Sequence, residues 1–361
     1  MRGVDQERAC WITLSMAAGI GPVRFQRLLQ VCGGAEGAWQ ASDLEMAAAG
    51  LERRTADSLR RLQRTSSPGA VAANLEKLGI TALTLLDPDY PIALRHITDP
   101  PPVLFVKGML PPDDTLAVAL VGTRRASPYG RTVAERLGRE LAQAGVAVVS
   151  GLARGVDTVA HQAVLEAGGC TVAVLGNGLD QVYPPENASL ARRVIDRGAL
   201  VSEFAPGVPP DALNFPRRNR LISGLSAATV IVEAGDRSGA LITADYALEQ
   251  GREVFAVPGS ILSVMSVGPN TLLKQGATPV TCAQDILDGL DSGSRAPVAH
   301  SLPGLEADES SVWQALNGDP RHIDDLAREL KRGAGELSAT LAVLELKGLA
   351  RQVGAMTYAR A

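Results

Sequence analysis

The sequence predicts an α/β protein built on a doubly wound parallel sheet. Three observations carry this prediction. Six short apolar runs, at 116–121, 146–150, 171–175, 199–202, 228–232 and 253–257, read as strands buried on both faces. Segments of helical periodicity separate them, near 129–144, 156–167, 187–197, 214–223 and 240–250. Gly-rich turns recur after the runs, where open α/β sheets bind their ligands.

The 361 residues suffice for two or three domains. Lys and Arg number 35 against 39 Asp and Glu, a net charge of −4, which argues against a wholly basic nucleic-acid coat and leaves room for a local basic groove. Cys10, Cys32, Cys170 and Cys282 are scattered without metal-ligand spacing and read as free thiols of a reducing cytosol. Asp5 and Glu7 near the start, with no long apolar run, predict neither a signal peptide nor a membrane span. The expectation is a soluble cytoplasmic protein with no cofactor and no metal.

In chain order, residues 1–66 read as a small helical unit. Trp11, Leu14 and Met16 lead into Gly19-Ile20-Gly21-Pro22, after which Phe25, Leu28 and Leu29 recur at helical spacing. The Gly-x-Gly turn resembles those of helix-hairpin-helix and sterile-alpha-motif modules, and it reads equally as a plain connection between helices. Ser66-Ser67-Pro68-Gly69 predicts a boundary. The main domain is placed at 79–290. It opens with strands at 80–86 and 103–106, separated by proline-rich extended segments, which should pair onto the edge of the main sheet.

The turns after the central strands supply the candidate site. After the first comes Gly122-Thr123-Arg124-Arg125-Ala126-Ser127-Pro128, in which Ser127 is an N-cap and Pro128 a first-turn proline. A strand, a loop and a helix N-terminus aim backbone N–H groups at one point, and the natural guest is a phosphate. After the second come Ser150, Gly151, Arg154, Gly155 and Asp157, with His161 four residues on. Asp157 and His161 share a helix face and are expected to hydrogen-bond, either as an acid–base pair or as a cap beside a satisfied histidine. Asn177 lies in the third turn. The segment Asn214-Phe215-Pro216-Arg217-Arg218-Asn219-Arg220 packs three arginines beside an aromatic, a combination suited to phosphates and bases. Ser238, Gly239 and Thr243 begin a later helix. Together these turns predict a polyanion rim.

These motifs, in this order, resemble the DNA-processing protein A family, also called Smf. The matching stretches include Tyr90-Pro91, Asp99-Pro100-Pro101, Gly122-Thr123-Arg124, Ser150-Gly151 through His161, and Leu175-Gly176-Asn177-Gly178-Leu179-Asp180 with Tyr183-Pro184. They continue with Ser202-Glu203-Phe204, Phe215-Pro216-Arg217-Arg218-Asn219-Arg220, Ser238-Gly239, Glu249-Gln250-Gly251-Arg252 and Val257-Pro258-Gly259. The resemblance covers roughly residues 80–290. It implies an extended Rossmann-like core that binds single-stranded DNA, protects it and helps load the RecA recombinase during natural transformation. It also implies a homodimer and no catalysis. One departure is the apolar run Ile261-Leu262-Ser263-Val264-Met265-Ser266-Val267, where family members often carry more polar residues. Such a run is expected to be buried, in a dimer or against another domain.

Residues 291–309 read as a Gly/Pro/Ser linker. Residues 310–361 give helical segments at 312–316, 323–330 and 335–346, then strands at 350–353 and 356–360, a winged-helix pattern. Its charges nearly balance: Arg321, Arg328, Lys331, Arg332, Lys347, Arg351 and Arg360 face Asp319, Asp324, Asp325, Glu329, Glu336 and Glu345. The third helix carries Glu336, Ser338 and Thr340 but no arginine, so protein docking or a weak accessory role fits it better than groove reading.

Two enzyme readings compete. A Rossmann-like nucleotide phosphoribohydrolase of the lysine-decarboxylase-like group should carry Pro-Gly-Gly-x-Gly-Thr-x-x-Glu after a late strand. The chain has Glu233-Ala234-Gly235-Asp236-Arg237-Ser238-Gly239-Ala240 there. A dinucleotide enzyme should open on Gly-x-Gly-x-x-Gly, which Gly122-Thr123-Arg124-Arg125-Ala126-Ser127 does not match.

Overall fold

The apolar runs form strands within a residue or two of their expected bounds. The structure, a computed structural model, describes residues 6–294, 311–312, 315–316, 321–330, 332–346, 350–354 and 356–360. It divides into two units, Met1–Ser292 and Gly293–Ala361.

The first unit begins with six helices: α1 (Gln6–Ser15), α2 (Pro22–Cys32), α3 (Ala35–Trp39), α4 (Asp43–Ala48), α5 (Arg53–Thr65) and α6 (Pro68–Leu78). Strand β1 (Thr81–Thr84), the short α7 (Ile92–Arg95) and β2 (Val103–Gly108) follow. Then come β3 (Ala117–Val121), α8 (Pro128–Gln143), β4 (Ala147–Ser150), α9 (Val156–Glu166) and β5 (Thr171–Val174). Next are α10 (Ala188–Arg197), β6 (Ala199–Ser202), α11 (Asn214–Gly224), β7 (Ala228–Ile231) and α12 (Gly239–Glu249). The unit ends with β8 (Glu253–Ala256), α13 (Val267–Lys274), β9 (Thr278–Pro279) and α14 (Ala283–Ser294).

All nine strands join one sheet in the order β1-β2-β6-β5-β4-β3-β7-β8-β9. β3 to β9 are parallel to their neighbours, while β1 and β2 add an antiparallel margin beside β6. The chain runs outward from β3 to β6, then crosses back to β7 on the other side of β3. That reversal makes the carboxyl end of β3 the topological switch point.

Alternate residues of β3 feed opposite faces of the sheet. Val118 and Leu120 pack with Ala134, Leu137 and Ala160 of α8 and α9, while Ala119 and Val121 pack with Leu221, Ile222 and Ala244 of α11 and α12. Leu120 and Leu137 are fully buried, each worth roughly 1.5–3 kcal/mol of transfer free energy.

The expected interruption at Ser66-Ser67-Pro68-Gly69 falls between α5, which ends at Thr65, and α6, which starts at Pro68. The Ser67 hydroxyl accepts from the Ala70 N–H, and Pro68 occupies the first turn of α6. An apolar cluster crosses it, joining Ile12, Val71 and Leu75 to Phe105, Leu175 and Leu200. Trp11 Nε1 donates to the Pro102 carbonyl at 2.9 Å. At the outer margin, Arg8 donates to the Ala82 carbonyl and pairs with Asp87, whose carboxylate accepts from the Thr84 N–H.

The apolar run after Pro258 is not buried within this unit. Ile261 and Leu262 are each 91% exposed, and Asn270 closes the loop by bonding both the N–H and the carbonyl of Gly259.

In the second unit, β10 (Arg321–His322), α15 (Ile323–Leu330), α16 (Ala334–Leu346), β11 (Ala350–Gly354) and β12 (Thr357–Arg360) enclose Ile323, Leu326, Leu337, Leu341 and Tyr358. The three strands order β10-β12-β11, so Arg321 and His322 add a strand the sequence did not suggest. This is a winged-helix arrangement. Residues 295–309 of the expected linker, together with Lys331 and Lys347, lie outside the described residues.

Candidate nucleic-acid interface

A cavity of about 660 Å³ opens at the switch point, walled by the loop after β3 and the first turns of α11 and α12. Gly122 begins the β3 loop because no side chain fits there: a Cβ would lie 2.6 Å from Val156 Cγ2 and 2.9 Å from the Glu233 carbonyl. Thr123 donates its N–H to that carbonyl at 2.7 Å, and its Oγ1 accepts from the Arg125 N–H. The loop is thus fixed by its backbone, which leaves its side chains free to face outward. Arg124 and Arg125 are exposed, and neither has an anionic partner among the described residues.

The Arg124 guanidinium lies 5.1 Å over the Phe215 ring, and the Tyr183 ring, tilted by 33°, lies 5.6 Å from it between centroids. A cation over an aromatic face is held in place without losing its charge. Tyr183 was not singled out as a site residue, although the Tyr-Pro pair after the third central strand was visible. Pro210, Ala212 and Ile242 add apolar wall.

At the start of α12, Ser238 Oγ accepts from the Ala240 N–H, and a Cβ on Gly239 would meet nothing within 4 Å. The helix opens directly into the cavity, where its positive end favours an anion. Thr243 lies one turn on and is buried against the same wall.

Arg218 forms the floor. It is buried, its Nη1 donating to the carbonyls of Gly151 (2.7 Å) and Val174, and burial lowers its pKa to about 10, with Arg124 adding to the effect. It stays charged at neutral pH. Gly151 lies between Arg218 and Asp157, and a Cβ there would lie 2.6 and 2.7 Å from those two side chains. The buried Asp157 carboxylate accepts from the Gly151 and Ala153 N–H groups, and burial pushes its pKa up. Asn219 donates from Nδ2 to the Gly239 carbonyl and ties α11 to α12.

Several residues expected on the rim are committed elsewhere. Ser127 caps α8 through the Gly130 N–H and donates its hydroxyl to the buried Glu233 at 2.5 Å, so it faces away from the cavity. Ser150 is buried and donates to the Leu120 carbonyl. Asn177 is buried and bridges the Gly178 and Gln181 carbonyls. Gly155, at φ +78°, packs on the Thr123 and Arg124 backbone. Arg154 is ion-paired with Glu186.

Arg220 is buried against Glu203 (2.5 Å) and also pairs with Asp99 (3.1 Å). Arg217 is exposed, 3.9 Å from Glu203 and over the Phe204 ring, outside the cavity wall. For Ser150, Asn177 and Arg220 the physical reason is the same: an interior polar group takes the nearest backbone or counter-charge, because leaving it unpaired costs more.

The expected Asp157–His161 hydrogen bond is not made. His161 Nδ1 meets Thr171 Oγ1 at 2.7 Å, and that hydroxyl donates to the Val148 carbonyl, so the imidazole must be the donor. Burial, aided by Arg218, lowers the His161 pKa to about 3 and keeps the ring neutral.

Comparison with known proteins places this geometry. Residues 81–291 match the family described as DNA recombination-mediator protein A, and residues 296–356 match a DprA winged helix domain. The chain is 33% identical over 395 aligned positions to Protein Smf of Synechocystis, which covers 99% of each chain. The X-ray structure of DNA processing protein A from Streptococcus pneumoniae superposes with a TM-score of 0.67 at 35% identity, covering 79% of this chain and 98% of that one. DNA processing protein A from Helicobacter pylori, whose structure is described in terms of its single-stranded DNA binding mode, gives a TM-score of 0.53 at 31% identity, over 59% and 96% of the two chains.

Proposed function

Because the chain belongs to the DNA recombination-mediator protein A family, we propose that it binds single-stranded DNA in the cavity at the switch point and acts as a recombination mediator in transformation. One observation carries the site: two arginines without counter-anions, an aromatic pair and an open helix N-terminus face one cavity. Arg124, Arg125 and the α12 N-terminus at Gly239 take phosphates, and Phe215 with Tyr183 offers a stacking surface for bases. Thr123, Ser238, Asn219 and Thr243 complete the polar wall, with Arg218 beneath as a fixed charge.

Protection of the bound strand, transfer to the RecA recombinase and action as a homodimer follow the family resemblance. The reading is of a binding protein rather than a catalyst. It is supported by the separation of Asp157 from His161 and by the neutrality of that buried ring.

The test is a salt titration of single-stranded oligonucleotide binding by the full chain and by Arg124→Ala/Arg125→Ala. The slope of log affinity against log salt should fall by about one to one and a half units. An unchanged slope in a natively folded variant would remove these arginines from the site.

A further inference from the structure

A second cationic surface lies on the N-terminal helices, on α5. The helix reads Arg-Arg-Thr-Ala-Asp-Ser-Leu-Arg-Arg-Leu-Gln-Arg-Thr. At 100° per residue, Arg53, Arg54, Arg61 and Arg64 fall within one arc of about 100°, opposite the buried Thr55, Ala56 and Leu59. All four are exposed, and among the described residues none has an anionic partner. Arg27 of α2 is exposed and unpaired as well.

The reason is visible in how the neighbouring carboxylates are used. Glu7 accepts from the first N–H groups of α3, and Glu45 closes a capping box with Ser42. Asp43 and Asp57 both hold Arg60, while Glu52 holds Arg24. These five acids are spent on caps and local pairs, and four of the five arginines of α5 are left over.

Stability does not account for the array. Arg53 and Arg54 occupy the first turn of α5, where the helix dipole disfavours cations and the turn holds no acidic residue, while Glu52 at the N-cap is paired with Arg24. Like charges three residues apart, as at Arg61 and Arg64, repel. The α5 leucines turn inward, so the helix offers a membrane no apolar wedge. From Arg53 to Arg64 the row spans about 16 Å at 1.5 Å per residue, a line of charge rather than a converging pocket. A cleft of about 860 Å³ beside it is lined by Arg53, Arg54 and Arg61 together with Glu52 and Asp57, the carboxylates that pair with Arg24 and Arg60.

We propose that the Arg53, Arg54, Arg61 and Arg64 face of α5 is a second DNA-contacting surface, binding the phosphodiester backbone at a place separate from the switch-point cavity. A linear polyanion is the partner that a linear row of free guanidiniums fits. The inference rests on this array alone and adds to the reading of the cavity.

The experiment compares the full chain with a variant carrying glutamine at all four arginines (R53Q, R54Q, R61Q, R64Q), and with the corresponding lysine set. The probes are a single strand of about 40 nucleotides, one of about 10, and a duplex, each titrated with salt. The glutamine set should lower the salt slope for the long single strand or the duplex by about two to three units, with affinity down at least tenfold near 0.1 M salt. Whichever of the two responds identifies the form of DNA bound there.

Binding of the short strand should match the parent chain, whereas Arg124→Ala/Arg125→Ala should lose it, which separates failure here from failure of the cavity reading. The lysine set should keep the slope. Unchanged slopes and affinities in every arm would overturn the proposal, as would an equal loss in the lysine set.

Discussion

The loop after β3 and the first turns of α11 both carry arginines at or beside one cavity and treat them differently. In the loop, backbone hydrogen bonds of Thr123 and the tight fit of Gly122 carry the structure, so Arg124 and Arg125 are left to solvent. In α11 the helix sinks into the core within one turn, and two of its three arginines, Arg218 and Arg220, are drawn in with it. The difference is between charge kept for a guest and charge consumed by the fold. Three arginines in four residues look like the stronger binding signal in the sequence, yet the adjacent pair in the β3 loop is the freer one.

The largest effects should come from the consumed charges. Arg218→Ala strips the floor of its link to the Gly151 and Val174 carbonyls and leaves Asp157 without its nearest cation. It should destabilise the first unit by about 3–5 kcal/mol, seen as a fall in Tm of about 10 °C, whereas Arg124→Ala should stay within about 0.5 kcal/mol. Equal melting temperatures for the two variants would erase the contrast.

The buried pair sharpens it further. Arg220→Met leaves the buried Glu203 with only the exposed Arg217 at 3.9 Å and should cost about 3–5 kcal/mol, while the double variant with Glu203→Leu should recover most of that loss in a denaturant titration. A double variant no more stable than the single would show that the pair does more than satisfy itself.

Next in size is the stacking surface. Phe215→Leu should weaken single-stranded DNA binding by about 1–3 kcal/mol and leave the salt slope unchanged, because it removes base contact and no phosphate contact. A changed slope would mean that the ring acts mainly by holding Arg124.

His161 is buried within reach of the Arg218 charge, and its pKa is lowered from 6.5 to about 3, chiefly by burial. The unfolded chain binds its proton below about pH 6.5 and the folded chain does not. This contribution to stability is therefore full above that pH and declines by up to about 1.4 kcal/mol per pH unit as pH falls toward 3. The stability advantage of the parent over His161→Gln should accordingly shrink from pH 7 to pH 5 in urea titrations. A constant difference would contradict the neutral, buried ring.

The smallest effect concerns Arg154, which sits near the cavity but is spent on Glu186. Glu186→Gln should free it and raise the salt slope by at most about 0.7, with no change in melting.

These contrasts show where sequence reading reaches and where it stops. The strands were legible because a parallel strand buried on both faces must be a continuous apolar run, as at Val118-Ala119-Leu120-Val121, and the glycine that follows ends it. The rim was legible as a set of turns. The fate of each polar side chain was not, because its partner lies far away in the chain. Glu203 decides Arg220 from 17 residues off, Gly151 holds Arg218 from 67, and Glu233 claims Ser127 from 106. Even so, the Leu221 and Ile222 that follow the arginines signal that this end of α11 enters the core. At Ser67-Pro68 the break between α5 and α6 was legible, and the same Ser-Pro pair also serves as the start of the next helix.

The margin of the sheet at β1 has a consequence for crowding. A free strand edge is a template on which another chain can add its own strand, and here the outward-facing carbonyl of Ala82 and N–H of Thr84 are already occupied by Arg8 and Asp87. The opposite margin ends in the two-residue β9, where Pro279 has no N–H to offer. With these groups taken on both margins, the sheet offers a neighbouring copy little edge on which to add a strand, so separate molecules can meet at high concentration without merging their sheets.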